Sequence, residues 1–192
     1  AETLKDGVSS TVTTNQLLIG GSGLTGFIGY NGGTTADTTD DIGLVLSNMS
    51  FGLAILQQAT DINQEWVSLQ ASVGTVGFVG QDDVTLTATS LSVEVNQASA
   101  NGTVVDYTDA TVLSVPTGPS TELALTMAGE DGELLKASGS FTIDIFDFVQ
   151  ASGSLAFEKS SGSATVLNNA AIPTPVSTTV TTNQLLDRKS VV

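Results

Sequence analysis

Twice in this chain an alternation of apolar and polar residues changes parity in mid-run. Ile42, Leu44 and Leu46 are followed by Met49, Phe51 and Leu53, and Val84, Leu86 and Ala88 by Leu91, Val93 and Val95. The stretches 41–53 and 83–95 align without gaps at an offset of 42 (83 − 41). Alternation in twos places every second side chain on one face of an extended strand, so a parity change demands a bulge, corner or tight turn. It falls at Ser47-Asn48 and at Thr89-Ser90. Each stretch reads as two strands, preceded by the turns Gly26-Phe27-Ile28-Gly29 and Gly77-Phe78-Val79-Gly80. Residues 42–59 are free of charge and long enough to cross a bilayer as a helix, but their alternation makes them strands.

The same signature continues downstream. Residues 137–143 echo 151–157, and Phe141, Ile143 and Ile145 change parity before Phe146 and Phe148. Asn101-Gly102 carries the composition of a type I′ hairpin turn. Helix signals are confined to 57–68, which includes Trp66, and to 130–136, each enough for a turn or two.

A longer repeat sets the domain plan. Residues 8–18, Val-Ser-Ser-Thr-Val-Thr-Thr-Asn-Gln-Leu-Leu, return as 176–186 with a single Ser-to-Thr difference, an offset of 168 (176 − 8). The expected organisation is an N-terminal strand of the 168-residue repeat over 1–19, a single all-β module over 20–171, and a linker, repeated strand and terminal tail over 172–192. Ile172-Pro173-Thr174-Pro175 reads as the inter-repeat linker. Residues 1–6 open without methionine or a charged leader before an apolar stretch, so no signal peptide is expected in this chain, which reads as mature or excised.

Composition narrows the function classes. Twenty acidic residues against five basic ones give a net charge of −15, which repels phosphate backbones and anionic membrane surfaces. Neither nucleic acid nor membrane insertion is expected as a partner. The chain has no histidine and no cysteine. That removes the commonest general base near neutral pH, the commonest zinc ligand and every thiolate chemistry. A glycosidase could still use paired carboxylates, yet aromatics make up 5% of the chain and Trp66 stands alone for sugar stacking. No catalytic residue is assigned and no enzyme is expected.

Acidic loops are the candidate ligand sites. Asp37, Asp40 and Asp41, with Asp82 and Asp83, could supply oxygen ligands to calcium, the one cofactor this chemistry suits. Neither EF-hand spacing nor a calcium-binding Gly-Gly-x-Gly-x-Asp repeat is present, and solvated loops explain the same residues. Asn48-Met49-Ser50 and Asn101-Gly102-Thr103 fit the N-glycosylation pattern at expected turns. The seven phenylalanines read as core.

Gly-Phe-Val-Gly at 77–80, Leu-Ser-Val-Glu-Val-Asn-Gln-Ala-Ser at 91–99, Glu-Leu-Leu-Lys-Ala-Ser-Gly at 133–139 and Ala-Ser-Gly-Ser-Leu-Ala-Phe-Glu-Lys-Ser at 151–160 resemble the repeat units of giant tandem-repeat bacterial cell-surface, adhesin-like proteins. The resemblance covers most of 20–168. It implies export and a secreted or cell-surface, filament-forming role, and it carries no catalytic residues.

The fold expected is all-β: an elongated, β-solenoid-like module of stacked strands, with a β-sandwich as the alternative. The function expected is a structural building block of an extracellular fibre or giant adhesin, with copies of itself or tandem neighbours as partners. The joining strand would be Val8, Thr11, Val12, Leu17 and Leu18, with Val176, Thr179, Val180, Leu185 and Leu186 in the second copy. A calcium-dependent carbohydrate- or protein-binding surface module is the alternative.

Overall fold

A computed structural model describes residues 2–5, 8–33, 40–108, 113–168 and 176–191. Its strands are β1 (Glu2–Lys5), β2 (Val8–Thr11), β3 (Thr14–Tyr30), β4 (Ile42–Gln58), β5 (Glu65–Val79), β6 (Val84–Gln97), β7 (Val104–Asp106), β8 (Ser114–Gly118), β9 (Thr121–Ala124), β10 (Leu134–Ile145), β11 (Val149–Asn168) and β12 (Val176–Val191). Among the described residues a single 3-10 turn covers Gly129–Asp131. The chain is all-β, and no helix of the described residues is long and apolar enough to cross a membrane.

Seven long strands form one antiparallel sheet in the order β12-β11-β10-β6-β5-β4-β3. The expected stacked layers are thus neighbouring strands of one sheet, paired antiparallel, and not parallel solenoid rungs. The reason lies in the connections: the turns between β4, β5 and β6 are too short for a parallel crossover. The stretch from β7 to β9 interrupts the meander between β6 and β10.

Both parity changes lie inside continuous strands. Asn48 in β4 and Ser90 in β6 adopt left-handed backbone, with φ of 55° and 54°. Between Ser138/Ser92 and Ser140/Thr89, β10 advances two residues while β6 advances three, which identifies a bulge at Ser90-Leu91. Register shifts between β3 and β4 flank Leu24, beside Gly23 at φ 63°. The parity change after Ile145 is instead the tight turn Phe146-Asp147-Phe148 between β10 and β11.

One face of the sheet is covered at one end. Ala54 and Leu56 of β4 and Trp66 of β5 pack with Val105, Tyr107, Val115, Leu125, Met127 and Leu134, while Val12 and Leu18 close the cluster. Polar bonds hold the insertion down. Trp66 Nε1 donates to the Thr103 carbonyl at 3.0 Å, Asn96 Nδ2 donates to the Val105 carbonyl at 2.7 Å, and Ser68 Oγ donates to Asn96 Oδ1 at 3.1 Å. Strand β8 approaches so closely that a Cβ at Gly20 would lie 2.5 Å from the Pro116 carbonyl, and one at Gly52 3.1 Å from Val115 Cβ. Glycine at this pair lets β8 lie on the sheet.

Three local expectations differ. Residues 57–68 hold no helix: they are the end of β4, a turn and the start of β5, because Trp66 is drawn into the core from a strand. At Asn101-Gly102 only Gly102 has positive φ, so the turn is not type I′; Ser99 N–H bonds the Thr103 carbonyl at 2.9 Å around a wider loop. None of the phenylalanines belongs to the buried core, and Phe148 at its turn is 90% exposed.

Candidate assembly edge and acidic loops

The second copy and the last five residues of the first occupy opposite edges of the same sheet. In the first copy, Val8 and Thr11 belong to β2, which pairs with β1 in a small sheet that also contains β7. Val12 lies between β2 and β3, and Leu17 and Leu18 belong to β3. Alternation divides the last two: Leu18 packs against the core, while Leu17 points to the other face and is 55% exposed. Among the described residues, β3 pairs only with β4, so its second edge is open.

In the second copy the eleven residues form one uninterrupted run of β12 on β11. Val176 pairs with Asn168, Thr179 with Thr165, Val180 with Ala164, Leu185 with Lys159 and Leu186 with Glu158. The same sequence is bent in one copy and straight in the other because its neighbours differ. The core and the Ala59-to-Thr13 backbone bond, 2.9 Å, hold the first copy at Val12-Thr13, whereas β11 offers the second an extended partner throughout.

Register relates the two edges. One row of cross-strand partners runs Ile19, Leu53, Leu69, Val95, Leu135, Lys159, Leu185. The counterpart of Leu185 in the first copy is Leu17 (185 − 168), two residues from Ile19. An even stagger keeps the same side chains on the same face, and the six strands from β3 to β11 return the chain in its starting direction.

The acidic candidates divide between two loops at the opposite end of the strands. Asp37 lies outside the described residues. Asp82 and Asp83 are exposed in the turn between β5 and β6, where the Asp83 carbonyl accepts the Phe146 N–H at 2.7 Å. Asp40 is exposed, but Asp41, just before β4, is only 6% exposed and its Oδ1 has no hydrogen-bond partner among the described residues. Asn31 Oδ1, after β3, is likewise buried and unpartnered. Both residues line a cavity of about 460 Å³ with Thr25, Phe27, Val45 and Val79. Asn31 was not legible as a candidate because a lone neutral amide gives no sequence signal. No group of three or more acidic, histidine or cysteine side chains is placed to hold a metal among the described residues.

Another acidic residue has a different task. Burial works against the charge on Asp106, yet the Thr108 hydroxyl and N–H and the Gly129 N–H donate to its Oδ1 at 2.7, 3.0 and 3.1 Å and hold its carboxyl below the usual range. It ties the end of β7 to the 3-10 turn. Asn48 lies exposed at the β4 bulge; Asn101 Oδ1 accepts from Ser99 Oγ, Thr103 N–H and Thr103 Oγ1.

No family model, curated protein or solved structure compared with the chain matches it.

Proposed function

We propose that this chain is a non-catalytic building block of an extracellular fibre or giant surface adhesin, and that units join by extending one antiparallel sheet. The observation that carries the reading is that residues of one repeated sequence, 14–18 in the first copy and 176–186 in the second, lie in the two outer strands of that sheet. In a tandem array, residues 182–186 of β12 hold the place that Thr14 to Leu18 of β3 hold in the next unit, so the open edge of β3 receives β11 of the preceding unit. Leu17 then faces that unit's Lys159 and Leu18 its Glu158, as Leu185 and Leu186 do here. Such heterologous joining gives a filament when the rotation between units does not close a ring. It also covers the unpaired edge, which otherwise invites uncontrolled pairing.

Deletion of 176–192 tests the reading, because it uncovers the edge of β11 while leaving β3 open. Negative-stain microscopy should then show filaments, and adding a peptide of residues 176–191 should cap them. A deletion variant that keeps its strand content by circular dichroism and stays monomeric would overturn the proposal.

The unpartnered oxygens of Asn31 and Asp41 favour a second reading, a calcium-dependent binding module, since two buried oxygens facing one cavity suit a hard cation. Calorimetric titration with calcium tests it. No heat and no change in melting temperature with chelator would remove it.

A further inference from the structure

The face of the large sheet opposite the insertion is apolar from β3 to β10 and carries no covering element among the described residues. Its central row contains Ile19, Leu53, Leu69, Val95 and Leu135, and Ile19 and Leu135 are exposed at 45% and 39%. The bulges at Asn48 and Ser90 extend this face along the whole strand length. Without them Leu44, Leu46, Leu86 and Ala88 would turn to the other side. Beyond the bulges the opposite face carries Thr75, Thr87, Thr89, Thr142 and Ser154, while its apolar members Phe27, Val45 and Val79 gather at the β3 side.

We infer that this face packs against the same face of a second copy of the chain, completing a β-sandwich across a two-fold axis. Five strands at about 4.8 Å spacing and some fourteen residues at about 3.3 Å rise give a face of roughly 19 by 45 Å, a footprint near 860 Å². A standard protein interface covers about 800 Å² per partner, whereas the largest apolar patch of a typical monomer is about 300–600 Å². The face is therefore about as large as a stable dimer needs and larger than the usual patch of a monomer.

Its relief also suits a second sheet. Leu91, Phe141, Leu155 and Phe157 rise around the small residues Ala88 and Ala137, leaving an apolar groove of about 280 Å³. Sheets pack face to face about 10 Å apart with side chains interdigitating, so ridges of one copy enter such grooves of the other. The acidic turns and polar faces of both copies stay in water.

A bilayer fits the face less well. The open edge of β3 would place unpaired N–H and C=O groups in hydrocarbon at several kcal/mol each. The net charge of −15 would also meet anionic headgroups at the strand ends. In the face-to-face pair, β3 keeps its edge in water and open to the next unit.

Sedimentation velocity on the complete chain, with β12 in place so that the edge of β11 stays capped, tests the inference. A dimer is expected at tens of micromolar protein. Leu53→Lys with Leu69→Lys, which put like charges in the centre of both apposed faces, should weaken it at least tenfold. Emission of the core Trp66 reports whether the variant remains folded. If that pair unfolds the monomer, Val93→Lys, on a side chain already 36% exposed, takes its place. A wild-type chain that is monomeric at this concentration, a dimer unmoved by the lysines, or a chain that floats with phosphatidylcholine vesicles would each overturn it. Filaments from the 176–192 deletion depend on the strand edge, so their loss or survival reports on sheet extension and not on this interface.

Discussion

Asn48 of β4 and Ser90 of β6 stand in one row across the sheet with Gly74 of β5 between them, and both hold left-handed backbone at φ 55° and 54°. They are also equivalent positions of the internal repeat (90 − 48 = 42). The bulge is thus a repeated device that lets each strand change parity and keep its apolar residues on one face. A side chain in this conformation crowds the following carbonyl, at about 1–2 kcal/mol for most residues.

Ser90→Gly should relieve part of that crowding and raise stability by up to about 1 kcal/mol, while Ser90→Val should lower it by about 1–2 kcal/mol. Urea unfolding followed by Trp66 emission reads both as shifts of midpoint at constant slope. A valine variant with the wild-type midpoint would contradict a left-handed Ser90.

Asn96 bridges β6 to β7 and Ser68. Asn96→Ala strips a donor from the buried Val105 carbonyl and an acceptor from Ser68 Oγ, and should cost about 2–3 kcal/mol. Because β7 also pairs with β1, amide hydrogen exchange should quicken in β1 and β7 well before the centre of the large sheet. Uniform quickening would show that the bridge does not anchor the insertion separately.

Burial pushes the Tyr107 phenol up to about 12. Below the ordinary tyrosine range near 10 both states keep the proton and stability does not depend on this group. Between about 10 and 12 the unfolded chain releases it while the folded chain retains it, so stability falls as pH rises, by about 1.4 kcal/mol per pH unit. The loss is complete once pH passes the folded value. Tyr107→Phe should remove this slope, and equal alkaline slopes for variant and wild type would exclude a buried phenol as its source.

At Gly20 a side chain has no room under β8. Gly20→Val should cost about 1–3 kcal/mol by lifting Pro116 off the sheet. The same change at Gly26, where an added Cβ meets nothing closer than 4.0 Å, serves as the control for glycine loss inside β3. Equal midpoints for the two variants would mean that β8 does not rest on Gly20.

The all-β fold, the long alternating strands, the site of each parity change and the doubled terminal sequence were legible in the residues, whereas the division of its first copy between β2 and β3 was not. All of them are local patterns in which neighbours along the chain alternate or repeat, and backbone geometry converts them directly into faces and bulges. Asp40, Asp41, Asp82 and Asp83 were legible as loop residues, but not the buried Asn31 beside Asp41, because burial depends on segments distant in sequence.

The tertiary structure alone decided how those strands combine. Antiparallel pairing replaced solenoid rungs because the turns around β5 are short. Trp66 became a core strand residue because Thr103 and Val105, brought back by a distant loop, meet it there. The insertion covers only part of one face, so Phe27 lines a cavity beyond it on that face, Phe51, Phe78, Phe141 and Phe157 line the other face, and Phe146 and Phe148 stand at a turn. Leu17 and Leu18 share one sequence pattern with Leu185 and Leu186, yet only pairing placed the two copies at opposite edges of one sheet. Periodicity fixes which side of a strand is apolar; what lies against that side is set by contacts between distant segments, whose closure entropy no local pattern encodes.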